Sequence, residues 1–285
     1  LTAQAEKPPA HAPAPAPRRE RLELPTVAHI VAVASGKGGV GKSTTAANLA
    51  VALARQGLKV AIFDADVYGP SIPRLFGLAG RKPESDGNTV TPLEAHGVKI
   101  ISMGFFVPEE TPVIWRGPML HKAIEQFLGD VYWGELDFLL VDLPPGTGDV
   151  SISLASFLPG AQMLVVTTPQ EAARKVAERA GKMAERTNLR PIGVIENMSW
   201  FTGDDGKRYE IFGSGGGQEL ADELGVPLLG QIPLVPQLRE GGDDGQPITA
   251  VAPDSEPARA FRAIAERIAV DLKPKKVFSA QLTIK

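Results

Sequence analysis

The residues best equipped for chemistry are Gly36-Lys37-Gly38-Gly39-Val40-Gly41-Lys42-Ser43, which match the pattern G-x-x-x-x-G-K-[ST]. An apolar run, His29–Ala34, precedes them, and a helical pattern with Ala46, Leu49, Ala50 and Leu53 on one face follows. Glycines at these places let the backbone take positive φ and turn successive N–H groups toward an anion. The following helix aims its positive dipole end at the same point. Such a loop cradles phosphates. Lys42 would reach the β- and γ-phosphates and Ser43 would ligate Mg²⁺. Thr44 could contact the α-phosphate.

Carboxylates stand at the ends of two further apolar runs. Lys59–Asp64 leads into Asp64-Ala65-Asp66, and Phe138-Leu139-Leu140-Val141-Asp142 ends in a single acid. Strand C-termini in open α/β sheets face the ligand crevice, so these acids are placed near the phosphates. Asp142 suits Mg²⁺ held through water. For Asp64 and Asp66, capping of the following turn is the competing role. The segment Leu143-Pro144-Pro145-Gly146-Thr147-Gly148-Asp149 continues from Asp142, and Gly146 can offer a backbone N–H to the γ-phosphate. A Pro/Gly turn without ligand is the plainer alternative. Val194-Ile195-Glu196-Asn197 ends another run in an amide, which can both donate and accept, or else cap a turn.

Elements must hold these groups in place. Strands are predicted at His29–Ala34, Lys59–Asp64, Phe138–Asp142, Gln162–Thr167, Arg190–Glu196 and Pro227–Ile232. Most are apolar throughout, as parallel strands buried on both faces require. Helices are predicted at Lys42–Gln56, Met119–Phe127, Gln170–Thr187, Gly217–Leu224 and Glu256–Leu272. The alternation implies an α/β fold, a doubly wound and mostly parallel sheet with helices on both faces. Thr89–Met103 reads as a hairpin-like insertion. Residues 1–24, rich in Ala and Pro, read as a linker or tail, and residues 25–285 as one phosphate-loop domain.

Composition narrows the class. The 285 residues carry 30 Lys+Arg and 33 Asp+Glu, a net charge of −3, which leaves no basic footprint for nucleic acid. There is no Cys, so disulfides, thiolate nucleophiles and self-supplied iron–sulfur ligands are excluded. No apolar run reaches the ~18 residues of a membrane-spanning helix. The terminal helix has Phe261, Ile264 and Ile268 at helical spacing, then Lys273, Lys275 and Lys276, a pattern that fits core packing better than a membrane surface. No membrane partner is expected.

Lys37 carries the resemblance to a known family. Lys37-Gly38-Gly39-Val40-Gly41-Lys42-Ser43-Thr44 resembles the deviant Walker A motif of the group containing MinD, ParA, nitrogenase iron protein and the Mrp/ApbC ATPases. The likeness to Mrp/ApbC runs from about Ile30 to Ala250. It includes Asp142–Asp149, Trp115–Met119, Asn197-Met198-Ser199, Ile211-Phe212-Gly213, Gly215–Gly217 and Gly230–Leu234. That resemblance implies ATP and Mg²⁺, and a homodimer in which Lys37 reaches the partner's nucleotide. It further implies Asp66 as the water-orienting group, Asp64 on the metal side, and Asn197 reading the adenine edge with Pro233 as a second wall. Members serve as iron–sulfur cluster carriers. Cytoplasmic location, cluster-assembly or recipient partners and a small domain upstream of the linker are the corresponding expectations.

One departure stands out. Cluster-binding members place C-x-x-C shortly after the N-M-S element, whereas Gly203 and Gly206 stand there in this chain, around Asp204-Asp205. Carboxylates are poor substitutes for thiolates on such a cluster. Asp205-Gly206 reads as a hairpin turn between Trp200–Thr202 and Lys207–Phe212. The missing ligands leave two other readings open: a MinD- or ParA-like regulatory switch that carries no cluster, and a nucleotide sensor that binds without hydrolysis.

Overall fold

The computed structural model of the chain describes residues 24–66, 69–106, 117–146, 155, 157–158, 160–170, 173–187 and 189–272. The stretches Trp115-Arg116 and Thr147–Asp149, and nearly all of the 1–24 linker, lie outside these residues.

An eight-stranded sheet forms the middle layer, ordered β12-β9-β8-β1-β7-β2-β6-β5. β1 (Val27–Ser35) is flanked in parallel by β7 (Leu136–Asp142) and β8 (Gln162–Thr167). β2 (Val60–Asp64) lies between β7 and β6 (Val98–Ser102), while β9 (Arg190–Glu196) and β12 (Leu228–Gln231) extend the far side. Only β5 (Leu93–Ala95) runs antiparallel, against β6. The doubly wound, mostly parallel sheet expected from the sequence is therefore present.

Alternation along β1 shows why the sheet is buried on both faces. Ala32 and Ala34 pack into one core, and Val31 and Val33 into the other. α3 (Gly117–Asp130), α4 (Ala173–Thr187) and α5 (Gly216–Leu224) supply side chains to the first core. The second is closed by α1 (Lys42–Ala54), α2 (Ile72–Leu75), α6 (Pro236–Asp243), α7 (Ile248–Val251) and α8 (Glu256–Asp271). α1 is buried almost all round, and its alanines let α8 approach closely. Phe261, Ile264 and Ile268 of α8 are buried, so the terminal apolar stripe is core packing.

One expectation on the elements changes. Thr89–Met103 is not an insertion apart from the sheet: Val98–Ser102 is parallel to β2 in the main sheet. Burial of Val98, Ile100 and Ile101 outweighs the local turn signal that suggested a hairpin. What pairs locally is β4 (Val90–Thr91) with β3 (Glu84–Ser85), together with the antiparallel β5. The described part of the helix predicted at Gln170–Thr187 spans Ala173–Thr187. β10 (Phe201–Thr202) and β11 (Arg208–Tyr209) form the small hairpin expected around Asp205-Gly206.

Candidate functional site

Everything with chemical potential gathers at the C-terminal edge of the sheet. β1 ends at Ser35, and the glycine loop turns from it into α1. Gly39 and Gly41 take φ of +80° and +78°, a region that disfavours any side chain. Gly36 is needed for another reason, because a Cβ there would come within 2.9 Å of Val176 on α4. Arg179 of the same helix donates to the Gly36 carbonyl at 3.3 Å.

Beneath the loop lies a buried cluster. Lys42 Nζ meets Asp142 Oδ1 at 2.5 Å, and Ser43 Oγ donates to Asp142 Oδ2 at 2.5 Å. Residues separated by almost a hundred positions meet because β7 lies beside β1, with Val33 opposite Asp142. Burial pushes the Asp142 carboxyl up; the Lys42 charge and the Lys42 and Ser43 hydrogen bonds pull it back down. The ammonium and hydroxyl that a triphosphate and Mg²⁺ would engage are thus held on one carboxylate.

Asp64 is opposite Asp142 in the β2–β7 register. Its oxygens accept from the N–H of Asp66 at 3.1 Å, the N–H of Ile72 at 3.1 Å and Ser102 Oγ at 3.0 Å. Burial, then the nearby Asp142 charge, raise its carboxyl to about 7 against these hydrogen bonds. Asp64 thereby fastens the turn that leads to α2. Asp66 is buried beside this pair and accepts the Gly69 N–H at 3.2 Å. Gly146 lies in the described part of the segment after Asp142, and its N–H donates to the Ser35 carbonyl at 3.1 Å.

Next to the loop, a cleft of about 360 Å³ is lined by Gly41, Thr44, Asn197, Met198 and Pro233, with α2 and α6 as its other walls. The structure places Asn197 and Pro233 together in the lining of this cleft. Asn197 Nδ2 donates to the Val40 carbonyl at 2.9 Å, tying β9 to the glycine loop. Its Oδ1 is buried without a hydrogen-bond partner. A carbonyl in that condition is costly unless a ligand donor meets it. Met198 takes φ of +58°, an unusual backbone state for a side chain of its size.

At the mouth of the cleft, Arg74 of α2 and Arg239 of α6 both pair with Asp243, at 3.0 and 2.9 Å. The sequence reading missed these three residues, as it missed Glu196 and Ser102. Arg74–Asp243 joins segments distant in the chain and leaves no local pattern, whereas Arg239–Asp243 is an i,i+4 pair within α6 whose spacing could have been read. Met198 also falls inside a legible pattern, the N-M-S element.

These features fit a magnesium nucleotide: positive-φ glycines, a lysine and hydroxyl converging on one acid, hard oxygen donors, and a cleft with an orphaned acceptor. They do not fit an iron–sulfur cluster. Gly203–Gly206 closes on itself, with Gly203 N–H donating to the Lys207 carbonyl at 2.9 Å and Tyr209 Oη to Asp205 Oδ2 at 2.8 Å. Among the described residues no group of three or more His, Asp or Glu is arranged to hold a metal ion.

Loop, cleft and parallel sheet together define a P-loop NTPase. The family model described as NUBPL iron-transfer P-loop NTPase (ParA) matches residues 26–269. The chain belongs to this family. It is 52% identical over 247 residues to the iron-sulfur cluster carrier protein of Mycobacterium tuberculosis strain H37Rv, covering 85% of this chain and 65% of that protein. The chain thus spans somewhat less than two thirds of that relative's length. A solved nucleotide-binding protein from Archaeoglobus fulgidus, in complex with ADP, is 40% identical with a TM-score of 0.70, over 78% of this chain and 88% of that one. MinD from Pyrococcus horikoshii, complexed with Mg-ADP, shares the fold at 24% identity and a TM-score of 0.63, over 84% and 95%.

Proposed function

We propose that the chain binds ATP with Mg²⁺ and hydrolyses it as a homodimer, and that this cycle serves iron–sulfur cluster carriage or assembly. The observation that carries the ATP reading is the buried Lys42–Asp142–Ser43 cluster under a glycine loop with two positive-φ turns. ATP phosphates take Lys42 from Asp142, and the glycine-loop N–H groups, with Thr44, line the phosphate path. Mg²⁺, when bound, is held by Ser43, with Asp142 and the Asp64 side behind it, and offsets phosphate charge. Water attacks the γ-phosphorus while the bond to the β–γ bridging oxygen breaks. That oxygen leaves with the electron pair as ADP, and the water proton passes to phosphate or solvent. Asp66 orients the water; Lys37 from the second subunit stabilises the transferring group, and the Gly146 N–H joins it by leaving the Ser35 carbonyl. Asn197 and Pro233 take the base. The setting is the cytoplasm, with cluster-assembly or recipient proteins as partners.

Calorimetric titration of ATP·Mg²⁺ tests the site. Lys42→Ala should lose binding by at least two orders of magnitude; parental affinity in a folded variant would reject the assignment.

A second reading, a regulatory switch without cluster, is favoured by a specific observation: the closed Gly203–Gly206 turn in a chain with no cysteine. If cargo is carried, its thiolates come from a partner or another part of the protein. Anaerobic reconstitution followed by iron and sulfide analysis separates the two. Clusters bound only together with a thiol-bearing partner support carriage, and none under any pairing supports the switch.

A further inference from the structure

Glu196 is the last residue of β9, immediately before Asn197, and only 1% of it is exposed. A carboxylate at that depth needs donors on its oxygens. Three neutral donors from three different elements supply them. Ser199 Oγ, in the turn after Asn197, donates to Oε1 at 2.8 Å, and Gln231 Nε2, at the end of β12, donates to Oε1 at 2.7 Å. The Gly217 N–H, in the first turn of α5, donates to Oε2 at 2.6 Å. The space is shaped for this carboxylate: a Cβ on Gly217 would fall 2.7 Å from Glu196 Oε2. The α5 dipole adds its positive end at the same point.

The backbone repeats the pattern. The Ile232 N–H donates to the Glu196 carbonyl at 2.8 Å, and the Ser199 N–H to the Ile232 carbonyl at 3.0 Å. The two walls of the base cleft, the Asn197 turn and the segment entering Pro233, are therefore riveted through one residue that does not itself line the cleft.

We propose that Glu196 is a positioning residue that sets the preference of the cleft for adenine over guanine. This rests on the ATP reading above. Asn197 Nδ2 is committed to the Val40 carbonyl, so the acceptor Oδ1 is what the amide has left for a base. Adenine presents a donor, its 6-amino group, where guanine presents a carbonyl. A fixed acceptor welcomes the first and repels the second. Discrimination lasts only while the amide cannot turn or shift, and Glu196 holds the backbone on both sides of it. Glutamine at this position keeps the shape but sets an NH₂ group against a donor on one side.

The test compares ATP and GTP affinities in the presence of Mg²⁺, by calorimetry, for the parent, Glu196→Gln, Gln231→Leu and Ser199→Ala, with folding checked by circular dichroism. Glu196→Gln should lose about tenfold or more of the ATP-over-GTP preference while GTP affinity stays within about twofold. Gln231→Leu and Ser199→Ala should move the preference in the same direction by less. A merely structural defect would weaken both nucleotides alike. Folded Glu196→Gln with the parental preference, or with both affinities reduced equally, overturns the proposal and leaves the ATP reading intact. If Glu196→Gln does not fold, parental preference in both other variants overturns it equally. A parent that binds neither nucleotide overturns the ATP reading and the proposal with it.

Discussion

At the residue scale, Gly41 shows how tightly the loop and the cleft are joined. Its φ of +78° costs a side-chain-bearing residue about 1–2 kcal/mol. A Cβ there would also fall 2.2 Å from Asn197 Nδ2, which would have to leave the Val40 carbonyl. Gly41→Ala should therefore lower the melting temperature by several degrees and weaken ATP binding by more than tenfold. Gly39→Ala, whose Cβ meets nothing within 4 Å, should carry the backbone strain without the loss of the amide. Calorimetry and thermal unfolding on the pair distinguish the two causes; equal ATP affinities would remove the argument for Gly41. The phosphate-loop residues and Asp142 were legible because strand, loop and helix signals lie next to each other in the chain. Asp64 was not, since metal binding and turn capping draw on the same residue type. Its three donors come from Asp66, Ile72 and Ser102, and Ser102 lies 38 positions away.

At the element scale, α2 and α6 form the outer walls of the cleft beside the glycine loop and touch through glycine. Gly77 follows α2 and Gly245 follows α6, and a Cβ on Gly245 would come 2.4 Å from the Gly77 backbone. Both take positive φ. Gly245→Ala should force the walls apart, reducing stability by about 1–3 kcal/mol as overpacking does, and weakening ATP binding with it. Denaturant unfolding and ATP titration on the same samples check both; unchanged unfolding would mean the walls yield without cost. Neither short helix was evident in the sequence, because four residues at Ile72–Leu75 give no helical period to read. The sheet was evident, because β1, β2, β7, β8 and β9 are continuous apolar runs. β6 reads as one arm of a hairpin because turn residues separate it from the strand-like Thr89-Val90, and only the parallel partner β2, far back in the chain, reveals its place.

The hairpin β10–β11 yields a prediction of its own. Hydrogen bonds from the Lys207 N–H and then Tyr209 Oη hold the Asp205 carboxyl below its ordinary value. A carboxyl whose folded value is depressed contributes stability above its unfolded value, and that contribution is lost as pH falls through the folded one. The turn should therefore stay ordered at neutral pH and loosen below about pH 4, the ordinary aspartate range. Amide resonances of Gly203–Lys207 followed by NMR should titrate with a midpoint below that of an unstructured aspartate. Asp205→Asn should abolish the step. A midpoint at or above the unstructured value would contradict the bonded turn.

At the scale of the whole molecule, the proposed homodimer would give the two lysines different tasks. Lys42 is buried under the loop against Asp142, whereas Lys37 and the two glycines after it are exposed at the loop tip. Ser35 Oγ holds the Lys37 carbonyl at 2.9 Å, fixing the backbone from which that side chain extends. A cation supplied in trans to a transferring phosphoryl group is worth about 10³-fold or more in rate, because it meets charge that develops only in the transition state. Lys37→Ala should therefore bind ATP like the parent, yet turn it over about a thousandfold more slowly. Asp66→Ala, which removes the carboxylate proposed to orient the water, should retain ATP and accumulate as a dimer in light scattering when ATP·Mg²⁺ is added. The double variant Lys37→Ala with Asp66→Ala should bind ATP and stay monomeric. Full turnover by Lys37→Ala, or hydrolysis by a subunit that remains solitary at every ATP concentration, would return Lys37 to the role of a solvated loop residue. The site would then be complete within one chain.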